Sequence, residues 1–217
     1  MSRDVIAILD EMTAERSLLR HPFYQAWTAG TLPLERLRHY AIRYYPHVEA
    51  FPRYLSALHS RCTNLATRQA LLENLIEEER GTENHPELWL RFAEALGVSR
   101  EAVTEAAPSP AARELVDAYL SVAATAPLAG GLAALYVYES QIPAIAIAKI
   151  DGLRTSYGIS DERGLEFFAA HEQADQMHAE TDAALIARHA TSDADRLAAV
   201  YGADRALTAL WSMLDSM

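Results

Sequence analysis

From Leu132 to Ile150 the chain is apolar on every face a helix could present, with Glu139 and Lys149 the charged exceptions. Such a helix belongs at the centre of a protein, covered by others, because a surface helix keeps one polar face. Pro143 is expected to kink it. The flanking sequence supplies the cover. Val5, Ile6, Leu9, Met12, Leu18 and Leu19 share one face of a first helix that His21-Pro22 should end. A short segment around Phe23 to Trp27 closes at Gly30, and Pro33 opens a long helical region through Leu37, Tyr40 and Tyr44. Kinks are expected in that region at Pro46 and Pro52.

Asn64 is placed to cap a helix through Leu71 and Leu75, and Pro86 to sit at the start of one stopped by Gly97. Beyond the loop-like APSPAA at 107–112 a helix begins near Ala111, and Pro127 with Gly130-Gly131 marks a break. Ser160 can cap a helix running to about His189, and a last helix holds Leu197, Val200, Leu207, Leu210 and Leu214. No repeat at solenoid spacing and no alternating strand run with hairpin turns is visible. The expectation is an all-α bundle of seven to eight helices forming one domain, 1–217.

Charge narrows the partners. With 19 basic and 30 acidic residues the net charge is −11, which argues against generic binding to nucleic acid or an anionic membrane. The single cysteine, Cys62, forms neither an internal disulfide nor a thiolate metal cage. Acidic residues interrupt the short apolar stretch of MSRDVIAILDEMTAERS, so no secretory signal is expected. No apolar run approaches about 20 residues, so no membrane span is expected either, and a cytoplasmic protein is the default.

The chemistry concentrates in three places. In His171-Glu172-Gln173-Ala174-Asp175-Gln176-Met177-His178, helical geometry puts Asp175 about 40° from His171 and His178 about 20° to the other side. Imidazole with carboxylate suits iron, manganese or zinc. The alternative is a solvated polar face. Glu78 and His85 return to within about 20° of each other on a continuous helix, better than Glu77 or Glu79, although Gly81 and Pro86 lie against continuity. Glu139 sits in an apolar surround, where a carboxylate must be paired, protonated or bound to a cation. An arginine from a neighbouring helix is the alternative partner. Three carboxylates and three imidazoles from separate helical segments form the pattern by which bundles build dinuclear sites.

Glu-x6-His, a lone Glu on a central helix and His-x3-Asp-x2-His together resemble the haem-oxygenase-like di-metal oxidases, across essentially the whole chain from HPFYQAW onward. Within that superfamily the chain most resembles the CADD-like proteins, a family named for a chlamydial protein associating with death domains. The resemblance implies Glu78, His85, Glu139, His171, Asp175 and His178 as ligands of two metal ions, iron with iron or manganese with iron. It further implies dioxygen and a reductant as co-substrates, and synthesis of para-aminobenzoate for folate. The ring would come from the protein's own Tyr24 and the amino group from Lys149, with Tyr40 and Tyr138 as further aromatic matches. A cytoplasmic homodimer is implied as well.

Read by itself, Lys149 is the sole lysine of the chain and follows a run, Ala144 to Ala148, that predicts burial. Desolvation would favour its neutral, nucleophilic form, whereas a snorkelling lysine or one paired with Asp151 would stay charged. Tyr24 could equally be core. Competing readings are a di-metal oxidase acting on an external small acid or amino acid, a metal-free TenA/PqqC-like enzyme, and an interaction protein. A thiaminase-type enzyme would need Cys62 as a nucleophile.

Overall fold

The computed structural model describes residues 4–217, apart from the side chains of residues 173, 174 and 176. Residues 1–3, the start of the stretch tested for a secretory signal, lie outside the described residues. The chain forms α1 (Val5–Glu15), a 3₁₀ turn (Leu18–Arg20), α2 (Pro22–Thr28), α3 (Leu34–Arg61), α4 (Leu65–Glu79), α5 (His85–Ala95) and α6 (Arg100–Thr104). It continues with α7 (Pro110–Thr125), α8 (Leu128–Glu139), α9 (Ile142–Ser156), α10 (Glu162–His189) and α11 (Asp193–Asp215). That is eleven α-helices among the described residues, more than the seven to eight expected.

The difference has local causes. Arg100–Thr104 forms a single short helix capped by Ser99, too brief for periodicity to reveal. The first helix stops at Glu15, and Leu18 and Leu19 belong to the 3₁₀ turn that follows. Glu78 and His85 lie on separate helices. Arg80 ends α4, Gly81 turns the chain at φ 83°, and Asn84 caps α5 by accepting from Glu87 N. Pro143 does not kink a long central helix but starts α9, after a break at Ser140-Gln141. The Gln141 side chain accepts from Leu18 N at 2.8 Å and donates to Val137 O at 2.7 Å, tying the break to the 3₁₀ turn. Pro46 and Pro52 interrupt neither end of α3, which runs through both. Asp161, one residue beyond Ser160, caps α10.

Gly130 and Gly131 do not break the chain either; they lie inside α8. A Cβ at Gly131 would overlap the Leu58 side chain of α3, and a Cβ at Gly202 of α11 would overlap the Gly130 carbonyl. Glycine is used here for close helix approach, not for chain reversal. The result is a central α8 buried against α11, α10, α7 and α3. All residues of α8 from Ala129 to Glu139 are buried. The stretch Leu128–Ser156 is long and apolar enough to cross a membrane, contrary to expectation: its most apolar 18 residues have a mean hydropathy of 1.2, but 72% of that window is buried within the protein, as in the core of a water-soluble fold. Leu197, read as part of the last helix's apolar face, is exposed.

Around this centre, α3, α4, α5 and α10 pack on one another. The Arg61 guanidinium donates to the carbonyls of Ala123 and Ala126 and so satisfies the end of α7. Trp89 Nε1 donates to Ala41 O at 2.7 Å, pinning α5 against α3.

Gly202→Ala should lower unfolding stability by about 1–3 kcal/mol in urea denaturation, as overpacking at a backbone contact does. An unchanged midpoint would show that α8 and α11 can separate freely.

Candidate metal centre

Glu78 comes from the last turn of α4, His85 from the first residue of α5 and Glu139 from the last residue of α8. His171, Asp175 and His178 come from the middle of α10. Helix ends thus meet a helix middle. Two triads result, Glu78–His85–His171 and Glu139–Asp175–His178, each offering one ligand atom per residue with all three atoms within 4.8 Å of one another. Glu78 Oε2 lies 2.7 Å from His85 Nδ1, and the His85 and His171 rings are 4.3 Å apart. His171 Nδ1 donates to Phe167 O at 2.6 Å, which fixes the tautomer and leaves Nε2 as the free lone pair. His178 Nδ1 lies 3.3 Å from Asp175 Oδ1 and 3.8 Å from Glu139 Oε1, while its Nε2 meets Glu77 at 3.0 Å on the outside. Among the described residues no arginine pairs with Glu139; Asn74 Nδ2 donates to it at 2.8 Å.

Three residues of this site escaped the sequence reading, Asp182 foremost. Asp182 of α10 is buried, with its carboxyl in hydrogen-bond reach of Glu139. The signal was available: Asp182 falls about 20° from His171 by the same helical arithmetic that grouped Asp175 and His178. Asn74, one turn before Glu78, and His47 beside Tyr138 were missed as well. His47 is buried among Tyr44, Tyr54, Tyr119 and Tyr138, and burial pushes it down to about 3, so it is neutral.

These acids are short of donors. Glu139 Oε2, Asp175 Oδ2 and Asp182 Oδ2 are buried without a hydrogen-bond partner. Burial, then the neighbouring Asp182 and Asp175, holds Glu139 well above the usual carboxylate range. Burial likewise pushes Asp175 up to about 6. His171 is driven well below its ordinary value by burial, helped by His85. Burial opposes charge on His85 also, but the charge and hydrogen bond of Glu78 outweigh it and raise that imidazole. Orphaned carboxylate oxygens beside three imidazoles, of which burial holds His171 neutral, are the donor set that a divalent iron or manganese ion takes. The residues present fit a pair of such ions.

The cavity between the triads is small, about 10 Å³, and is walled also by His47, Val48, Phe51, Tyr138 and Phe167. An aromatic region adjoins it. Tyr138 accepts from the Tyr44 hydroxyl at 3.4 Å, the Tyr44 ring stacks on Tyr40 at 5.1 Å, and the Tyr40 and Tyr24 hydroxyls are 3.1 Å apart. Lys149 is neither snorkelling nor paired with Asp151. It is buried, its Nζ donates to the Tyr40 hydroxyl at 2.7 Å, and it lies 5.0 Å from the Tyr24 ring centre. Burial lowers Lys149 to about 7. Tyr136 turns away to Asp10, and Cys62, at the end of α3, does not line the triad cavity.

Lys149 sets a pH dependence. Between about pH 7 and the ordinary lysine value the folded chain has lost a proton that the unfolded chain keeps, so stability rises with pH across that window. Urea denaturation of the metal-free protein should show a slope of up to about 1.4 kcal/mol per pH unit there. Lys149→Met should flatten it; an equal slope in both proteins would mean the amine stays charged.

The TENA/THI-4/PQQC family model matches residues 10–207. A Chlamydia muridarum protein named 4-aminobenzoate synthase is 43% identical over 217 residues, covering 100% of this chain and 91% of its own. A Nitrosomonas europaea protein of the same name is 41% identical over 218 residues, with 96% and 89% covered. Among solved structures, a Shewanella denitrificans domain described as having a haem-oxygenase-like fold superposes with a TM-score of 0.79 at 17% identity, covering 98% of this chain and 88% of that one. A CADD-like protein from Nostoc punctiforme superposes at 0.75 and 17% identity, with 98% and 94% covered. The fold is therefore haem-oxygenase-like, as expected, and the chain belongs to the TENA/THI-4/PQQC family.

Proposed function

We propose that this chain makes para-aminobenzoate, a folate precursor, in an oxygen-dependent reaction that consumes its own Tyr24 and Lys149. The observation that carries this reading is the place of the sole lysine: buried, lowered toward the neutral amine, and 5.0 Å from the Tyr24 ring beside the two triads. The name shared by relatives above 40% identity over nearly their whole length supports it.

Glu78, His85 and His171 would hold one metal ion, and Glu139, Asp175 and His178 the other. When bound, an iron pair or an iron–manganese pair supplies oxidising power drawn from dioxygen and a reductant. The protein's own groups do the rest. Tyr138 and Tyr44 bridge from the triad cavity to Tyr40 by hydroxyl contact and ring stacking. Burial holds the Tyr24 and Tyr44 phenols protonated, far above their ordinary value. Tyr40 takes a hydrogen bond from Lys149 and contacts the Tyr24 hydroxyl, so it fixes amine and ring against each other. Trp27, Phe168 and Tyr24 itself keep water from the amine. Product formation would cut the Tyr24 side chain at Cα–Cβ, oxidise Cβ to the carboxyl with dioxygen as the oxidant, break the Cε–Nζ bond of Lys149, and form a ring C–N bond as the phenolic oxygen leaves as water.

A single lysine makes the test unusually clean. Protein grown on lysine labelled with ¹⁵N at Nζ, loaded anaerobically with iron and then exposed to oxygen, should release singly labelled para-aminobenzoate. The peptides bearing Tyr24 and Lys149 should change mass together. Unlabelled product with both peptides intact would replace self-consumption by an external amine and ring. Tyr24→Phe and Lys149→Arg should each lower product at least 100-fold while atomic emission still finds two metal equivalents per chain.

A further inference from the structure

Outside the space between the triads, a cavity of about 220 Å³ opens between α4 and α10. Its inner end is His178 of the second triad with Asp182 and Asn74; its outer polar residues are Glu73 and Glu77. Ala70, Leu71 and Leu185 form apolar walls. Glu73 is exposed and the Glu77 side chain is 52% exposed, so the acidic end faces solvent. Neither lysine nor arginine is among the lining residues.

The inner end is built of acceptors with nothing to accept. Asp182 Oδ2 and Asn74 Oδ1 are both buried without a hydrogen-bond partner, in residues only 3% and 6% exposed. Three carboxylates against the single imidazole of His178 leave the cavity net acidic, so it repels an organic acid and gives dioxygen, which is neutral, no purchase. They attract a cation. The volume admits a divalent ion still carrying waters, at about 30 Å³ each. Glu77 already touches His178 Nε2, so an ion drawn to Glu77 arrives beside a triad member. The wider groove between α9 and α10 differs: two arginines, Arg154 and Arg163, stand among its four acids, and no triad residue lines it.

We infer that the α4–α10 cavity is the loading passage for divalent metal ions, gathered by Glu73 and Glu77 and passed inward along Asp182 and Asn74 to the second triad. This rests on the dinuclear reading of the two triads. It assigns Asp182 a task separate from the aromatic chemistry around Lys149.

The test follows the rate of uptake, not turnover. Metal-free full-length protein is mixed with Co(II), visible absorption of the bound ion is recorded by stopped flow, and final stoichiometry is read by atomic emission. Glu73→Gln combined with Glu77→Gln should slow loading about tenfold at low ionic strength and remove most of its salt dependence, with unchanged final stoichiometry. Thr181→Trp, an exposed substitution in the cavity lining, should slow loading at every salt concentration. Glu114→Gln with Asp117→Asn, exposed on α7, removes the same charge elsewhere and should leave the rate alone. Full uptake at the wild-type rate in the cavity variants, or equal slowing in the α7 control, overturns the passage. Absence of cobalt uptake by the wild-type chain overturns the dinuclear reading itself, and the passage with it.

Discussion

Burial of Glu139 is the constraint on which the arrangement turns. An ionised carboxylate taken out of water costs several kcal/mol unless neighbours compensate it, and Glu139 ends a helix whose every side is covered. The chain compensates it with one amide hydrogen bond from Asn74 and the His178 imidazole 3.8 Å away, while Asp175 and Asp182 approach as further acids. Without cations the site resolves the conflict by holding protons, which is why burial raises these carboxyls together. Two dications bring a charge of about +4, and Glu78, Glu139, Asp175 and Asp182 together offer about −4. Asp182 therefore closes a charge gap that three carboxylates leave open. Because the acids must release protons to accept metal, occupancy and pH are coupled at this point of the fold.

Much of this centre could be read from local rules. The spacing of His171, Asp175 and His178 survives translation into structure because α10 is regular through them. Glu78 and His85 met despite the failure of the premise that joined them on one helix. Gly81, with φ 83°, turns the chain, and the two side chains converge from separate helices. Asp182 obeyed the same arithmetic but lay beyond the segment considered. Tyr44 and His47 had no legible role, because a phenol or imidazole on an apolar stripe looks like core until the neighbouring helix is known. Glycine was misread for a related reason. Sequence shows that Gly130-Gly131 lacks side chains, but only the partners Gly202 and Leu58 decide between a break and a close crossing. The break after Glu139 came with Pro143, whose missing N–H starts α9 as readily as it bends a continuous helix.

That break also keeps opposite charges apart. Glu139 closes α8 facing the acids, and Lys149, two turns into α9, faces Tyr24, Tyr40 and Phe168. A buried lysine and a buried glutamate in contact would form an ion pair, each stabilising the charged form of the other. The amine would then be protonated and without a lone pair, and the carboxylate would be held by a cation that is not a metal. Distance and an aromatic wall prevent both. With no carboxylate beside it, Lys149 is governed by desolvation alone and is lowered to about 7. With no ammonium beside it, the acid cluster stays available to divalent ions. His171 stands between the two regions and registers both, its proton affinity lowered by burial, by His85 and by the charge on Lys149. The helix bundle thus holds an amine lowered toward its neutral form and a cluster of unpartnered acids in one core by denying them each other.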